Sequence, residues 1–426
     1  MALCVKSRYN NGMIKPSAAA HIHQARFPHA VAAVLEALVL RGFPVYLWGF
    51  SAIDAYLGRA AAGETLILTG ADPADLARIF EELRYPGIDL ADAALERGEC
   101  ACYFRCADFN SFSGPADKFL FVDQGPFVTG DGRCPSFGML EFYMDWRTGR
   151  FLDPRGSYPL LRQIMKGHPP DLRPADINPG IERSRALMDW ALIAAKYFPL
   201  DETVFSGRDV FQNLDEGFKP GIEEQRLLLT GLLSSPNPAL GLEFLMRGGF
   251  IREYWPELAV LDDVDHSKEF HPEGNVWMHT LETFRYRKVS GGVYDPRLSL
   301  GLLLHDIGKP LAKTGGGRRF DGHAEIGARQ AGRFLGRLGF DPALITDVCY
   351  LVHNHMFPAA LPRLPFFRTE EKMMSPLFPV LLELYRCDES SSFKGLDGYY
   401  ESSAAYQSFL RFRRNPYRTA DGKKII

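Results

Sequence analysis

His271-Pro272-Glu273-Gly274-Asn275-Val276-Trp277-Met278-His279-Thr280, followed downstream by Leu300-Gly301-Leu302-Leu303-Leu304-His305-Asp306-Ile307-Gly308-Lys309, decides how this chain is read. His305 and Asp306 stand side by side at the end of an apolar run. An imidazole and a carboxylate buried together are costly unless a positive group lies between them. A divalent metal is the simplest such group, because imidazole and carboxylate together suit borderline and hard cations. Lys309 lies one helical turn past Asp306, where an ammonium can meet a phosphate oxygen. His323, His353, His355 and Asp388 follow on separate apolar segments as further candidate ligands. The expectation is a metal centre.

The 426 residues leave room for two or three domains, each with a full core. A composition of 46% hydrophobic and 24% charged residues is that of a globular protein, not a disordered one. The formal charge of −3 excludes a uniformly basic nucleic-acid binder but not a local basic groove. Seven cysteines show no repeated spacing, and Cys100, Cys102 and Cys106 lack the paired spacing of a zinc knuckle. Reduced thiols of a cytoplasmic protein are expected. The first residues carry no apolar signal core, and no apolar run approaches the roughly 20 residues that span a bilayer.

Residues 1–27 read as a mobile leader. From Pro28, Val31, Val34, Leu35, Leu38 and Val39 share one helical face, and Gly42 ends it. An apolar strand around Leu47 follows, then a helix over 51–57 and the run Leu66-Ile67-Leu68. Asp72-Pro73 opens another helix as cap and first-turn proline. Lys118–Val122 and Met139–Trp146 read as strands between Gly, Pro and Asp turns. Beyond Pro169 the strands stop, and 180–198, 222–234 and 238–248 have helical periodicity. The fold class is α+β: a mixed α/β head (28–165), a helical neck (166–265) and an all-α body carrying the histidines (266–426).

The order of these pieces resembles the poly(A) polymerase/tRNA nucleotidyltransferase family, of the bacterial kind with a C-terminal HD domain, over roughly 28–390. That resemblance implies a nucleotidyltransferase-like head. Family members carry a Gly-Gly loop followed by Arg-Asp and Leu-Leu-Gly-Arg. Here the stretch reads Trp48-Gly49-Phe50-Ser51-Ala52-Ile53-Asp54-Ala55-Tyr56-Leu57-Gly58-Arg59. Gly49 is kept, but Phe50 replaces the glycine that lets backbone N–H groups close on a triphosphate. The family's Asp-x-Asp falls on Glu64-Thr65-Leu66, and its later aspartate on Cys134. Nucleotidyl transfer needs two carboxylates on paired magnesium ions, which one Glu and one Leu do not supply. In the neck, Asp189 and Leu192 stand where arginines are expected. The head is expected to be a scaffold without its reaction.

The HD motifs depart far less. His271–Thr280 matches the family's His-Pro-Glu-Gly-Asp-Val-Trp-x-His-Thr, His305–Pro310 follows the HD signature, and Phe320-Asp321-Gly322-His323-Ala324-Glu325 resembles Phe-x-Gly-His-Glu. On the next helix His355 shares the face of Val348, Leu351 and Val352, whereas His353 is rotated away. Asp388 follows Leu381 and Leu384 on one face.

The resemblance implies a metal-dependent phosphohydrolase. His279, His305, Asp306 and Asp388 would hold one metal, and His323 and His355 a second, with Asp306 between them. Lys309 would offset charge on the phosphoryl oxygens. His271 and Glu273 would lie in an outer shell, and His353 in that shell or at the surface. Imidazole-rich ligation suits manganese, iron, nickel or zinc better than magnesium alone. The substrate implied is a phosphomonoester or a cyclic or linear phosphodiester on a nucleotide or tRNA-like RNA end. Arg411-Phe412-Arg413-Arg414-Asn415-Pro416-Tyr417-Arg418 interleaves cations with aromatics, which grip phosphate and stack bases. Neither a membrane partner nor DNA sequence recognition is expected. Two alternatives stand beside this reading: an active transferase with unusual acids, and a non-catalytic RNA- or nucleotide-binding protein with a structural metal.

Overall fold

The computed structural model describes residues 27–59, 64–88, 91–98, 100–107, 142–153, 158–167, 183–199, 219–265, 274–289, 294–315, 318–392, 395–413, 415, 417–419 and 423–425. The leader (save Phe27), the Lys118–Val122 strand, Cys134, His271 and Glu273 lie outside these residues. Two compact units divide between Glu224 and Gln225, inside the stretch read as the neck.

In the first unit, α1 (His29–Leu40) buries Val31, Val34, Leu35 and Leu38, the three-four spacing read from the sequence. A six-stranded sheet follows, with β1 (Val45–Trp48), β2 (Glu64–Thr69), β3 (Ala93–Arg97), β4 (Cys100–Cys106), β5 (Tyr143–Asp145) and β6 (Phe151–Leu152) in the order β3-β4-β2-β1-β5-β6. Only β2 and β4 are parallel, paired from Glu64↔Ala101 to Thr69↔Cys106; the other pairings are antiparallel. Helix α2 (Gly49–Leu57) leaves the end of β1 directly and stops at Gly58, whose φ of 72° suits glycine. Helix α3 (Pro73–Ile79) starts with a reciprocal capping box, in which Asp75 N–H donates to Asp72 at 2.7 Å and Asp72 N–H to Asp75 at 3.4 Å. Those two acids therefore serve the helix start. Helices α4 (Tyr158–Met165) and α5 (Arg183–Tyr197) follow, and Ala186–Ala195 of α5 are buried throughout.

Helix α6 (Ile222–Leu233) begins in the first unit and continues into the second. The second unit goes on with α7 (Pro238–Arg247), α8 (Phe250–Tyr254), α9 (Pro256–Ala259), α10 (Val276–Thr283), α11 (Pro296–Leu304), the hairpin β7 (Lys313–Gly315) and β8 (Arg318–Asp321), α12 (His323–Arg337), α13 (Pro342–Asn354), α14 (Phe357–Ala360), α15 (Glu370–Met374), α16 (Phe378–Ser390) and α17 (Asp397–Arg413). Asp295 caps α11 by accepting from Arg297 N–H. Leu298 through Leu304 are all buried, so this helix is enclosed on every side and delivers His305 into the interior. A Cβ added at Gly301 would stand 2.8 Å from Leu384 Cδ1 of α16, which shows how closely the two helices approach.

Arg287 fastens this packing. Its guanidinium donates to the Leu233 and Ser235 carbonyls at the end of α6 and to Ser299 Oγ on α11, and lies 3.6 Å from the Tyr294 ring centroid. Burial lowers its pKa to about 10, still well above neutrality, so it stays charged. The β7–β8 hairpin is a departure from the all-helical body expected. It inserts between Lys309 and His323, in a glycine-rich stretch too short for strand alternation to register. Among the described residues, no helix is long and apolar enough to cross a membrane.

Candidate metal centre

Four elements bring the histidines together. His279 comes from α10, His305 from the C-terminal end of α11, His323 from the first position of α12 and His355 from the end of α13. Asp306 follows His305 directly, and Asp388 lies on α16. Two groups of side-chain ligand atoms lie within 4.8 Å of one another: His279, His305 and Asp306, and Asp306, His323 and His355. Asp306 belongs to both.

Backbone carbonyls orient the rings. The Nδ1 of His305, His323 and His355 lies 2.8, 2.9 and 2.7 Å from the carbonyl of Leu302, Phe320 and Val352, each three residues back. A carbonyl only accepts, so each Nδ1 carries the proton and each Nε2 presents a lone pair. Ser391 Oγ donates to the Asp388 carbonyl and accepts from His279 Nδ1 at 3.3 Å, which sets the same tautomer on the fourth ring.

The Nε2 atoms then converge on carboxylate oxygens. His279 Nε2 is 3.0 Å from Asp388 Oδ1 and 4.0 Å from Asp306 Oδ2, and His305 Nε2 is 3.2 Å from Asp306 Oδ2. On the other side His323 and His355 Nε2 are 3.0 Å apart, at 3.6 and 4.0 Å from Asp306 Oδ1. Acceptors facing acceptors at these distances require a proton or a cation between them. The buried Nε2 of His305 has no hydrogen-bond partner among the described residues. Burial, followed by the neighbouring His305, lowers the His355 pKa to about 4, so its imidazole is neutral near pH 7 and offers its lone pair. Burial alone would raise the Asp388 carboxyl, but with a proton between it and His279 Nε2 that hydrogen bond and the nearby His305 and His279 rings hold it well below the usual carboxylate range, and a cation can take that proton's place. These residues fit a divalent cation.

Lys309 Nζ lies 2.5 Å from Asp306 Oδ2 and 5.5 Å from the Phe320 ring centroid. Side-chain exposure is 21% for Asp388 and 14% for His323 but 1–2% for His279, His305, Asp306 and His355, so the approach from solvent lies on the Asp388 and His323 side. His353 is exposed and points away. His355→Ala should consequently cost bound metal, whereas His353→Ala should retain it within twofold; equal losses measured by elemental analysis would contradict this geometry. The sequence points to no role for Ser391, and to Phe320 only as part of the motif that carries His323. Ser391 had one signal, its position one helical turn after Asp388.

The HD domain family model matches residues 276–384, the segment that carries most of this constellation. Over 141 residues, 32% of each chain, the sequence is 36% identical to a CC-adding tRNA nucleotidyltransferase of Thermus thermophilus. It is 27% identical over 274 residues to a multifunctional CCA protein of Xanthomonas campestris, covering 63% of this chain and 64% of that one. The chain is thus similar to tRNA nucleotidyltransferases, and its 276–384 segment matches the HD domain family. Its matches span less than two thirds of those relatives' length. The solved CCA-adding enzyme of Bacillus stearothermophilus in complex with CTP aligns over 90% of this chain and 82% of its own, at 13% identity and a TM-score of 0.45.

In the head, Phe50 is buried where the resemblance places the second loop glycine. Its ring is 6.2 Å from that of Tyr197 at 23°, and Lys196 Nζ is 5.9 Å from its centroid. Asp54 and Arg59, retained from the family frame, clamp the end of α5. Asp54 accepts from Lys196 and from Tyr197 at 3.0 Å each, and Arg59 donates to the Lys196 carbonyl at 2.6 Å. Glu64 opens β2, and Leu66 is buried with its N–H donating to Ser51 Oγ at 2.9 Å.

Proposed function

We propose that this chain is a divalent-metal-dependent phosphohydrolase that works through its HD body, on a nucleotidyltransferase-like head that no longer transfers nucleotides. The observation that carries the reading is the convergence of four Nε2 lone pairs on Asp306 and Asp388, each set by a hydrogen bond at Nδ1. His279, His305, Asp306 and Asp388 would hold one cation, and His323, His355 and the shared Asp306 a second. Imidazole-rich sets suit manganese, iron, nickel or zinc ahead of magnesium. When bound, the metal supplies Lewis acidity toward water and toward a phosphoryl oxygen.

The chain's own residues do the rest. Their Nδ1 hydrogen bonds keep the rings aimed inward before any ligand arrives. The Lys309 ammonium, on the edge of the site, offsets negative charge on phosphoryl oxygens. The exposed side at Asp388 and His323 admits the substrate. That substrate is a phosphomonoester or phosphodiester at a nucleotide or RNA end, a choice supported by the relatives' names and by the basic, aromatic stretch Arg411–Arg418.

A second reading, an active transferase, draws on the relatives' names alone. Offered a tRNA lacking its 3′ end with CTP and ATP, the protein should add no nucleotide, since Phe50, Glu64-Thr65-Leu66 and Cys134 stand where a glycine and carboxylates are needed. Incorporation of CMP or AMP that disappears in Glu64→Ala would establish that second reading. For the hydrolase, the test is metal-dependent cleavage of bis-p-nitrophenyl phosphate; no cleavage with any of manganese, iron, nickel or zinc would refute it.

A further inference from the structure

We propose that Phe320 is a positioning residue of the metal centre, its carbonyl setting the His323 ring and its own ring holding the Lys309 ammonium beside Asp306. This rests on the phosphohydrolase reading above. Phe320 has φ of +65° in β8, a left-handed conformation that crowds any residue with a Cβ. Two residues later Gly322 takes φ of +77° without that cost. Strain of this kind persists where the surroundings use what it places.

Here it places two groups. The Phe320 carbonyl accepts the His323 Nδ1 proton at 2.9 Å, which leaves Nε2 directed to Asp306 Oδ1 at 3.6 Å. The Phe320 ring, buried, has its centroid 5.5 Å from Lys309 Nζ, which is 2.5 Å from Asp306 Oδ2. An aromatic face attracts a cation and replaces water that would otherwise compete for it. One residue thus acts on both oxygens of the carboxylate shared by the two groups of ligands. A glycine at 320 would satisfy the backbone without strain but would supply no ring.

The test uses Mn²⁺ as the metal and bis-p-nitrophenyl phosphate as the substrate, with the full chain. Phe320→Leu keeps the carbonyl and most of the volume but lacks an aromatic face. It should lower kcat about tenfold with KM and Mn²⁺ affinity unchanged. Phe320→Tyr keeps the face and should match the wild type. Phe320→Gly relaxes the backbone that aims the carbonyl, and Mn²⁺ should bind its metal-free form about tenfold more weakly by calorimetry. Wild-type kcat in Phe320→Leu, equal losses in Phe320→Leu and Phe320→Tyr, or unchanged Mn²⁺ affinity in Phe320→Gly would each overturn the proposal. If the wild type cleaves no phosphoester, the phosphohydrolase reading fails, and the Mn²⁺ titration of Phe320→Gly still decides whether Phe320 sets His323.

Discussion

Asp306→Ala should bind no divalent metal and should lose phosphodiester hydrolysis by on the order of a thousandfold, the scale of removing a preorganised electrostatic group. Asp306 is the one residue common to the two ligand groups. Oδ2 faces His279, His305 and Lys309, and Oδ1 faces His323 and His355. Removing it leaves four inward lone pairs with Asp388 alone as the anionic ligand. It also takes from the buried Lys309 ammonium the carboxylate 2.5 Å away, so the thermal midpoint should fall by roughly 5–10 °C. Asp306→Asn, which keeps an acceptor for Lys309 but not the charge, should lose metal and activity with a smaller fall. Retained metal together with retained hydrolysis in either variant would place the chemistry elsewhere.

Gly308→Ala should be nearly as damaging without touching a ligand. The φ of Gly308 is −85°, open to any residue, so conformational freedom is not the reason for glycine here. Space is. A Cβ at 308 would run into the His323 carbonyl oxygen and lie 2.5 Å from Gly327 N and 2.9 Å from Gly327 Cα, all backbone atoms of α12 that cannot rotate away. The turn after His305-Asp306 must then separate from the helix that carries His323. Overpacking against backbone costs about 3 kcal/mol or more, a fall of roughly 6–12 °C in the midpoint, with metal affinity lost as the two groups of ligands part. Gly327→Ala is the control. Its Cβ would meet Val352 Cγ1 at 3.2 Å and Gly308 N at 3.4 Å, contacts that a side-chain adjustment can absorb. A Gly308→Ala protein as stable as Gly327→Ala, with metal bound, would show that the loop is not held as described.

Much of this arrangement was legible in the sequence because it depends on period and residue type. The burial of Val348, Leu351, Val352 and His355, with His353 exposed, follows from helical spacing alone. So does the enclosed α11, whose leucines recur on every side. What escaped the reading depends on backbone geometry or on contacts distant in sequence. No periodicity announces that His305, His323 and His355 each donate Nδ1 to a carbonyl three residues back, since this follows from how each helix end or turn lies. The positive φ of Phe320 is equally silent, because the residue type argues against it. Nothing in the local sequence marks Arg287, yet it is buried against the end of α6, more than 50 residues earlier in the chain. In the head, the sequence showed that Phe50 replaced a glycine, but not that its ring would lie against Tyr197 of α5.

The most direct test of the central claim is to locate metal in the full-length protein, by anomalous X-ray scattering from crystals grown with Mn²⁺ after removal of endogenous metal. The account predicts a peak among His279, His305, Asp306 and Asp388, with any second peak between Asp306, His323 and His355. A protein that takes up no Mn²⁺ at these residues, or that binds it only elsewhere, would contradict it.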